Sequence, residues 1–146
     1  MTKAEAVKNR ANLRGADLRE ANLIGANLRG ADLRGVKNLS DLIVAQLLIV
    51  PKNVELIGYK KTRQGIVILR IPKEAERSNA TSRKCRAKCA VVLETPNHKP
   101  AFSQYDANFV YIEGAEVRSN TWDTDRWNEC SSGIHFFITR EEAEAY

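Results

Sequence analysis

The sequence predicts a chain of two unequal parts: a short solenoid that turns a corner every five residues, joined to a small α+β domain. Three observations predict it. Residues 11–35 form five uninterrupted pentads, each with Ala first, Asn or Asp second and Leu third. Aromatic residues are divided along the chain: none precedes Tyr59, and nine of the ten lie after residue 100. From residue 53 onward, short apolar runs rich in β-branched residues are separated by turn residues, the mark of strands and hairpins. The expected units are therefore a repeat fragment at 1–39, a capping helix and linker at 40–52, and an α+β domain at 53–146.

A period of five fits neither a strand, which repeats every two residues, nor a helix, which repeats every 3.6. Apolar positions two apart and then three apart suit a chain that bends once per pentad, with Leu13, Leu18, Leu23, Leu28 and Leu33 inward beside the small alanines. These pentads resemble the pentapeptide-repeat family, whose motif is Ala-(Asp/Asn)-Leu-x-x, with Ala6–Arg10 as a degenerate further pentad. The resemblance implies a right-handed quadrilateral β-helix with about four pentads per coil, so this chain holds about one coil. One coil stacks on nothing, whereas repeat units generally need about three neighbours to bury a continuous core. Its edges would also leave backbone N–H and C=O groups unpaired. The rest of the chain, a second copy or another protein must cover them, which makes the five leucines interface candidates.

Long pentapeptide rods that mimic DNA are acidic. Residues 1–39 instead carry eight basic residues against four acids, and Arg14, Arg19, Arg29 and Arg34 recur at the fourth position. A net positive single coil does not imitate a phosphate backbone.

Ser40-Asp41 precedes an apolar stretch that Pro51 ends, the pattern of a short helix shielding the coil's open end. Leu56–Thr62 and Ile66–Ile71, separated by Arg63-Gln64-Gly65, read as a hairpin. Pro72–Arg77 reads as one or two helical turns with Pro at N1, and Ala87–Glu94 as a strand. Thr95–Pro100 is a polar loop. Asn108–Glu113 and Ala115–Arg118 read as a second hairpin about Gly114, and Gly133–Ile138 as a strand. Thr139 then caps a last helix, with Glu142 completing a capping box. The order is β-β-α-β-β-β-β-α.

Three stretches carry a second resemblance: Gly58–Lys61, Arg77–Ala87, and Asp125–Cys130 with Gly133–Phe137. They are similar to an uncharacterised domain that follows pentapeptide repeats in bacteriophage and bacterial proteins, over roughly residues 40–146. The resemblance implies a viral or prophage context and assigns no activity.

Net charge is +5 and the pI about 9.2. No apolar run reaches the ~18 residues that span a bilayer, and the polar N-terminus is unlike a signal peptide. The expected location is the cytoplasm of an infected or lysogenic bacterial host, with no membrane partner. Three cysteines in such a chain suggest free thiols. No cofactor is expected.

Four constellations bear on function. Arg77, Arg83, Lys84, Arg86 and Lys88, interleaved with hydroxyl and amide side chains, suit phosphate oxygens, and Lys60, Lys61 and Arg63 join them if the hairpin lies alongside. Cys130 with His135 as base, and Glu129 beside them, is the candidate for thiol catalysis. Cys85, Cys89, Cys130 and His135 have loosely zinc-like spacing. The strand-like alternation around Cys89 weakens that set, because residues four apart on a strand lie about 13 Å apart. Trp122 and Trp127, five apart among charges, are candidates for an interface anchor.

The reading these residues favour is a non-enzymatic, phage-type binding or assembly protein. It would act as a homo-oligomer presenting a surface to a host or viral macromolecule, as an inhibitor of a host system in one version. The alternative is a binder of an anionic nucleotide or nucleic acid through residues 77–88. The second alternative is a thiol- or metal-dependent enzyme at Cys130/His135.

Overall fold

The computed structural model describes residues 12–19, 21–23 and 25–146. The degenerate pentad Ala6–Arg10 and the opening Ala11 lie outside the described residues.

The period of five has a local cause. In each described pentad the N–H of the next Ala or Val donates to the Leu carbonyl three residues back, as in Ala16 to Leu13 at 3.0 Å and Ala31 to Leu28 at 3.0 Å. In four of these turns the third residue is a glycine at positive φ, for example Gly15 at 71° and Gly30 at 76°. A four-residue turn closed by that bond with positive φ at its third position is the type II turn, which favours glycine there. The Asn or Asp of the pentad secures the same corner. Asp17, Asn27 and Asp32 each accept from the backbone N–H two residues on, at 3.0–3.1 Å.

Four corners bring the chain back alongside its start. Asp17 pairs in parallel with Lys37, Gly15 N–H donates to Arg34 O at 2.9 Å, and Lys37 N–H donates to Ala16 O at 2.8 Å. Leu13, Leu18, Leu23, Leu28 and Leu33 are between 0 and 3% exposed and share one cluster with Ala31 and Ile43.

Ile43 belongs to α1 (Asp41–Leu47), the helix expected there, and its side chain packs against the leucine axis. The later domain reaches the pentads through residues 79–81. Asn79 accepts from Ile49 N–H at 2.9 Å and donates to Leu47 O at 2.8 Å, holding the end of α1. Thr81 O accepts from Gly30 N–H at 3.2 Å, and its hydroxyl donates to Ala31 O at 2.7 Å. Part of the cover that the pentads need therefore comes from the same chain. Replacing Thr81 by Val keeps the shape but leaves the buried Ala31 carbonyl without that donor, so unfolding stability falls by about 1–2 kcal/mol. Urea denaturation measures this, and an unchanged midpoint would show that the bond does not hold the two parts together.

The domain is built from short antiparallel strands. β1 (Leu56–Thr62) and β2 (Gly65–Ile71) form the expected hairpin, in register from Leu56–Ile71 to Thr62–Gly65. β3 (Arg77–Asn79), β4 (Cys85–Ala87) and β5 (Cys89–Glu94) follow. After a single 3-10 turn at Pro96–His98 come β6 (Ala101–Phe102), β7 (Val110–Tyr111), β8 (Glu116–Arg118), β9 (Ile134–Phe136) and α2 (Arg140–Ala145). One sheet runs β1-β2-β5-β8, a second β3-β4-β9, and β6 pairs with β7. A bridge joins the first two: Tyr59 and Phe137 exchange both backbone hydrogen bonds at 2.8 Å. Val67, Leu69 and Ile71 of β2, Val92 of β5 and Ile134 and Phe136 of β9 meet in one core.

Three expectations are corrected. Pro72–Arg77 holds no helix: it is a single non-helical turn, closed by Ala75 N–H to Pro72 O at 3.0 Å, and Arg77 is drawn into β3. The strand expected at 87–94 is two strands, broken at Lys88 and divided between two sheets. Residues 108–118 form no hairpin: β7 pairs with β6 and β8 with β5, and Gly114 N–H and Ala115 O instead bond to Val92. At the C-terminal end Thr139 does cap α2, accepting from Glu142 N–H at 3.3 Å, while its own hydroxyl donates to the Glu142 carboxylate at 2.7 Å.

Among the described residues no helix is long and apolar enough to cross a membrane.

Candidate functional site

The junction between the two sheets opens a cleft of about 410 Å³. Lys60 reaches it because it follows Tyr59, the residue that bridges the sheets; its ammonium donates to His135 O on β9 at 3.0 Å. Lys84 enters from the loop between β3 and β4. It donates to the Tyr146 hydroxyl at 3.3 Å, lies 5.3 Å from that ring's centre, and approaches Cys130 Sγ at 3.9 Å. Lys61 stands at the rim with its ammonium on Glu144 O at 3.3 Å. Tyr105, Phe137 and Tyr146 make an aromatic wall, with Ser103 and Gln104 beside it. Phe137 and Tyr146 pack with ring centres 5.4 Å apart, and the Tyr105 and Tyr146 hydroxyls meet at 3.5 Å. No carboxylate side chain lines the cleft among the described residues.

Burial and crowded positive charge set the protonation states. Lys60 is brought down to about 8, first by loss of solvent and then by repulsion from Lys84. Burial, helped by the charges of Lys60 and Lys84, lowers His135 to about 4, so its ring is neutral across the physiological range. Its Nε2 lies 3.2 Å from Glu129 O, which assigns the ring proton to that nitrogen. Burial works against the charge of Lys84, but its hydrogen bond to Tyr146 and nearby negative groups hold its pKa above the ordinary lysine value.

The structure brings some sequence candidates together here and separates others. Of the basic segment, only Lys84 faces the cleft. Arg77 is buried and its guanidinium donates to five backbone carbonyls, those of Pro51, Val54, Pro72, Lys73 and Ala75. Arg86 is buried, donating to Ser132 O at 3.0 Å and Asp125 O at 2.8 Å, and stacks 4.5 Å from the centre of Trp122. Arg83 forms a two-point pair with Glu142 at 2.9 Å, and Lys88 lies 3.9 Å from Glu76. Segment 77–88 is thus not one anion surface: its guanidiniums serve the fold, because buried carbonyls and a carboxylate claim them first.

Cys130 and His135 share the cleft but not a hydrogen bond. The ring nitrogen of His135 is engaged by Glu129 O, the thiol's polar neighbour is Lys84, and the Glu129 carboxylate accepts from Ser82. The thiol–imidazole pair of the catalytic reading is not assembled. Cys85 and Cys89 are divided between β4 and β5, and burial pushes the Cys85 thiol up to about 12. Among the described residues no three His, Cys, Asp or Glu side chains are grouped to hold a metal ion.

The leucines suggested as an interface are enclosed within this chain. Trp127 lies half-buried on the pentad cluster beneath Arg126, 4.6 Å from its ring centre, and Trp122 lies beneath Arg86. Both tryptophans anchor an irregular loop that Asp123 organises by accepting from Ser131, Asn128 and the Asp125 N–H. Sequence reasoning missed Tyr105 and Tyr146, since nothing local marks two distant tyrosines as one wall.

A model for pentapeptide repeats matches residues 9–37, and the match indicates a β-helix for that segment. No curated protein and no solved structure matched the chain. Residues 46–143, two thirds of the chain and all of the strands that build the cleft, match the model of a family of unknown function, DUF5758. The chain belongs to that family, with pentapeptide repeats preceding the family domain.

Proposed function

We propose that this chain is a non-enzymatic binding protein. In this reading about one right-handed, four-sided coil of pentads forms a stiff edge on the antiparallel domain, and the cleft beside Tyr59 and Phe137 takes a small anionic ligand. The observation that carries it is the convergence of Lys60, Lys61 and Lys84 on one cavity that, among the described residues, no carboxylate side chain lines. Its volume lies in the usual range of small-molecule sites, about 300–1,000 Å³. Charge-assisted hydrogen bonds from ammonium groups suit phosphate or carboxylate oxygens, and an incoming anion would offset the repulsion between Lys60 and Lys84. Tyr105, Phe137 and Tyr146 supply flat apolar walls for the rest of the ligand. The cleft replaces segment 77–88 as the anion site and favours a small molecule over a nucleic-acid strand, because the lysines converge instead of forming a stripe. Enclosure of the leucine axis with Ile43 and the bond from Thr81 support a cover for the pentads drawn from the same chain.

Titration calorimetry with inorganic phosphate and a nucleoside monophosphate tests this reading at low and high salt. Binding is expected at low salt and weakens as salt rises. Replacing Lys84 by Ala raises Kd about tenfold, the worth of one charge-assisted hydrogen bond. No heat at low salt, or equal affinity in the variant, overturns the proposal.

A further inference from the structure

Lys60 differs from the other lysines of the cleft. Lys61 sits at the rim on a helix carbonyl, and Lys84 is held between a tyrosine and a thiol, with its proton favoured there. The Lys60 ammonium donates to the neutral carbonyl of His135, and among the described residues no carboxylate side chain lines the cleft to stabilise its charge. The His135 ring, which lines the same cleft, is neutral, and the charge of Lys84 repels that of Lys60. An amine desolvated beside a second cation, inside a cavity, is the arrangement that turns lysine into a nucleophile.

We infer that the cleft takes an anionic carbonyl compound, an aldehyde or 2-oxo acid bearing phosphate or carboxylate, and that Lys60 Nζ condenses with its carbonyl carbon to form an imine. The inference rests on the anion-binding reading of the same cleft and assigns roles within it. Lys84 and Lys61 hold the anionic group; Lys60 provides the electron pair. That pair adds to the carbonyl carbon and the C=O π electrons move to oxygen. The two Nζ hydrogens then leave with that oxygen as water, and a C=N bond remains. Nothing is oxidised or reduced, and no further reactant enters. With its pKa brought to about 8, Lys60 has a useful share of free amine near neutral pH. An unperturbed lysine near 10.4 has almost none.

The test incubates the full chain with pyridoxal 5′-phosphate, or with pyruvate, and reduces it with sodium borohydride before intact-mass measurement and peptide mapping. One reduced adduct per chain, on the peptide that contains Lys60, is expected. It is lost in Lys60→Arg, which keeps the charge but cannot form the imine, and in Lys84→Met it requires about tenfold more reagent. Trapping of the aldehyde alone or of pyruvate alone selects the carbonyl class, and either supports the imine. Adducts scattered over several lysines, or undiminished in Lys60→Arg, overturn it. Mapping on the unaltered chain decides the site even if the variants fold poorly. Pyridoxine 5′-phosphate, which has the anion but no aldehyde, separates the two levels. If it binds and no adduct forms with either carbonyl probe, the imine fails and anion binding stands. If neither occurs, both fail.

Discussion

Arg77→Ala unfolds much of the domain or lowers its stability by roughly 3–5 kcal/mol. The guanidinium is the common partner of carbonyls from two segments: Pro51 and Val54 before β1, and Pro72, Lys73 and Ala75 between β2 and β3. Truncation leaves several of these acceptors short of a donor in a buried place, and each such loss costs about 1–3 kcal/mol. It also removes the pin that holds the two ends of the β1-β2 hairpin together. Lysine in place of arginine recovers only part of the loss, because one ammonium with three donors does not span the fork that a planar guanidinium fills. Burial disfavours the charge of Arg77, so the carbonyl cage is what keeps a cation at this position. Urea unfolding followed by tryptophan fluorescence measures the effect. A loss below about 1 kcal/mol would show that the carbonyls find other partners and that the cage is not structural.

Gly58→Ala is expected to lower stability by about 2–3 kcal/mol, the upper part of the range for overpacking a filled core. A Cβ at this position would stand 2.6 Å from Phe136 Cδ2 and 3.0 Å from its Cγ. Phe136 has no room to withdraw: it is 1% exposed and pinned in β9 opposite Cys85. Gly58 is therefore required for space, not for an unusual backbone. The double variant with Phe136→Leu tests this assignment. Coupling of 1 kcal/mol or more between the two sites is expected for residues in contact, and simple additivity in thermal melts would refute the clash. Because Lys60 lies two residues beyond Gly58 on β1, the single variant also displaces the cleft and weakens anion binding.

Local chemistry made part of this architecture readable in advance. The pentads announce themselves because each corner is closed within five residues, by a backbone turn and an Asn or Asp side chain. The first hairpin and the capped final helix are equally local, and both were expected. The second hairpin failed for the opposite reason: β7 and β8 carry the right pattern, but their partners lie in other segments. The basic segment misled for a similar reason. Arginines that read as solvated anion ligands are in fact donors to carbonyls that only the folded chain gathers, around Arg77 from positions 51 to 75 and around Arg86 from 125 and 132. The cleft draws on residues 60–61, 84, 103–105, 130, 135, 137 and 146, so no sequence window contains it. Lys60 and Lys84 stood together in the anion-binding constellation, but Cys130 and His135 stood apart from them in the thiol and metal sets.

The contact of Thr81 with Gly30 and Ala31 has a consequence for how such a chain can change in length. The pairing of Asp17 with Lys37 means that the backbone recovers its direction after four pentads. A single pentad inserted between Leu18 and Leu28 would advance everything after it by one side of the coil. Gly30 and Ala31 would then face away from Thr81, and the join to the strands would be lost. Four pentads inserted together would bring the same two residues back beneath Thr81, one layer farther along. On the proposed four-sided coil, length in this region is therefore quantised: insertions of twenty residues preserve the phase between repeat and domain, and insertions of five, ten or fifteen break it.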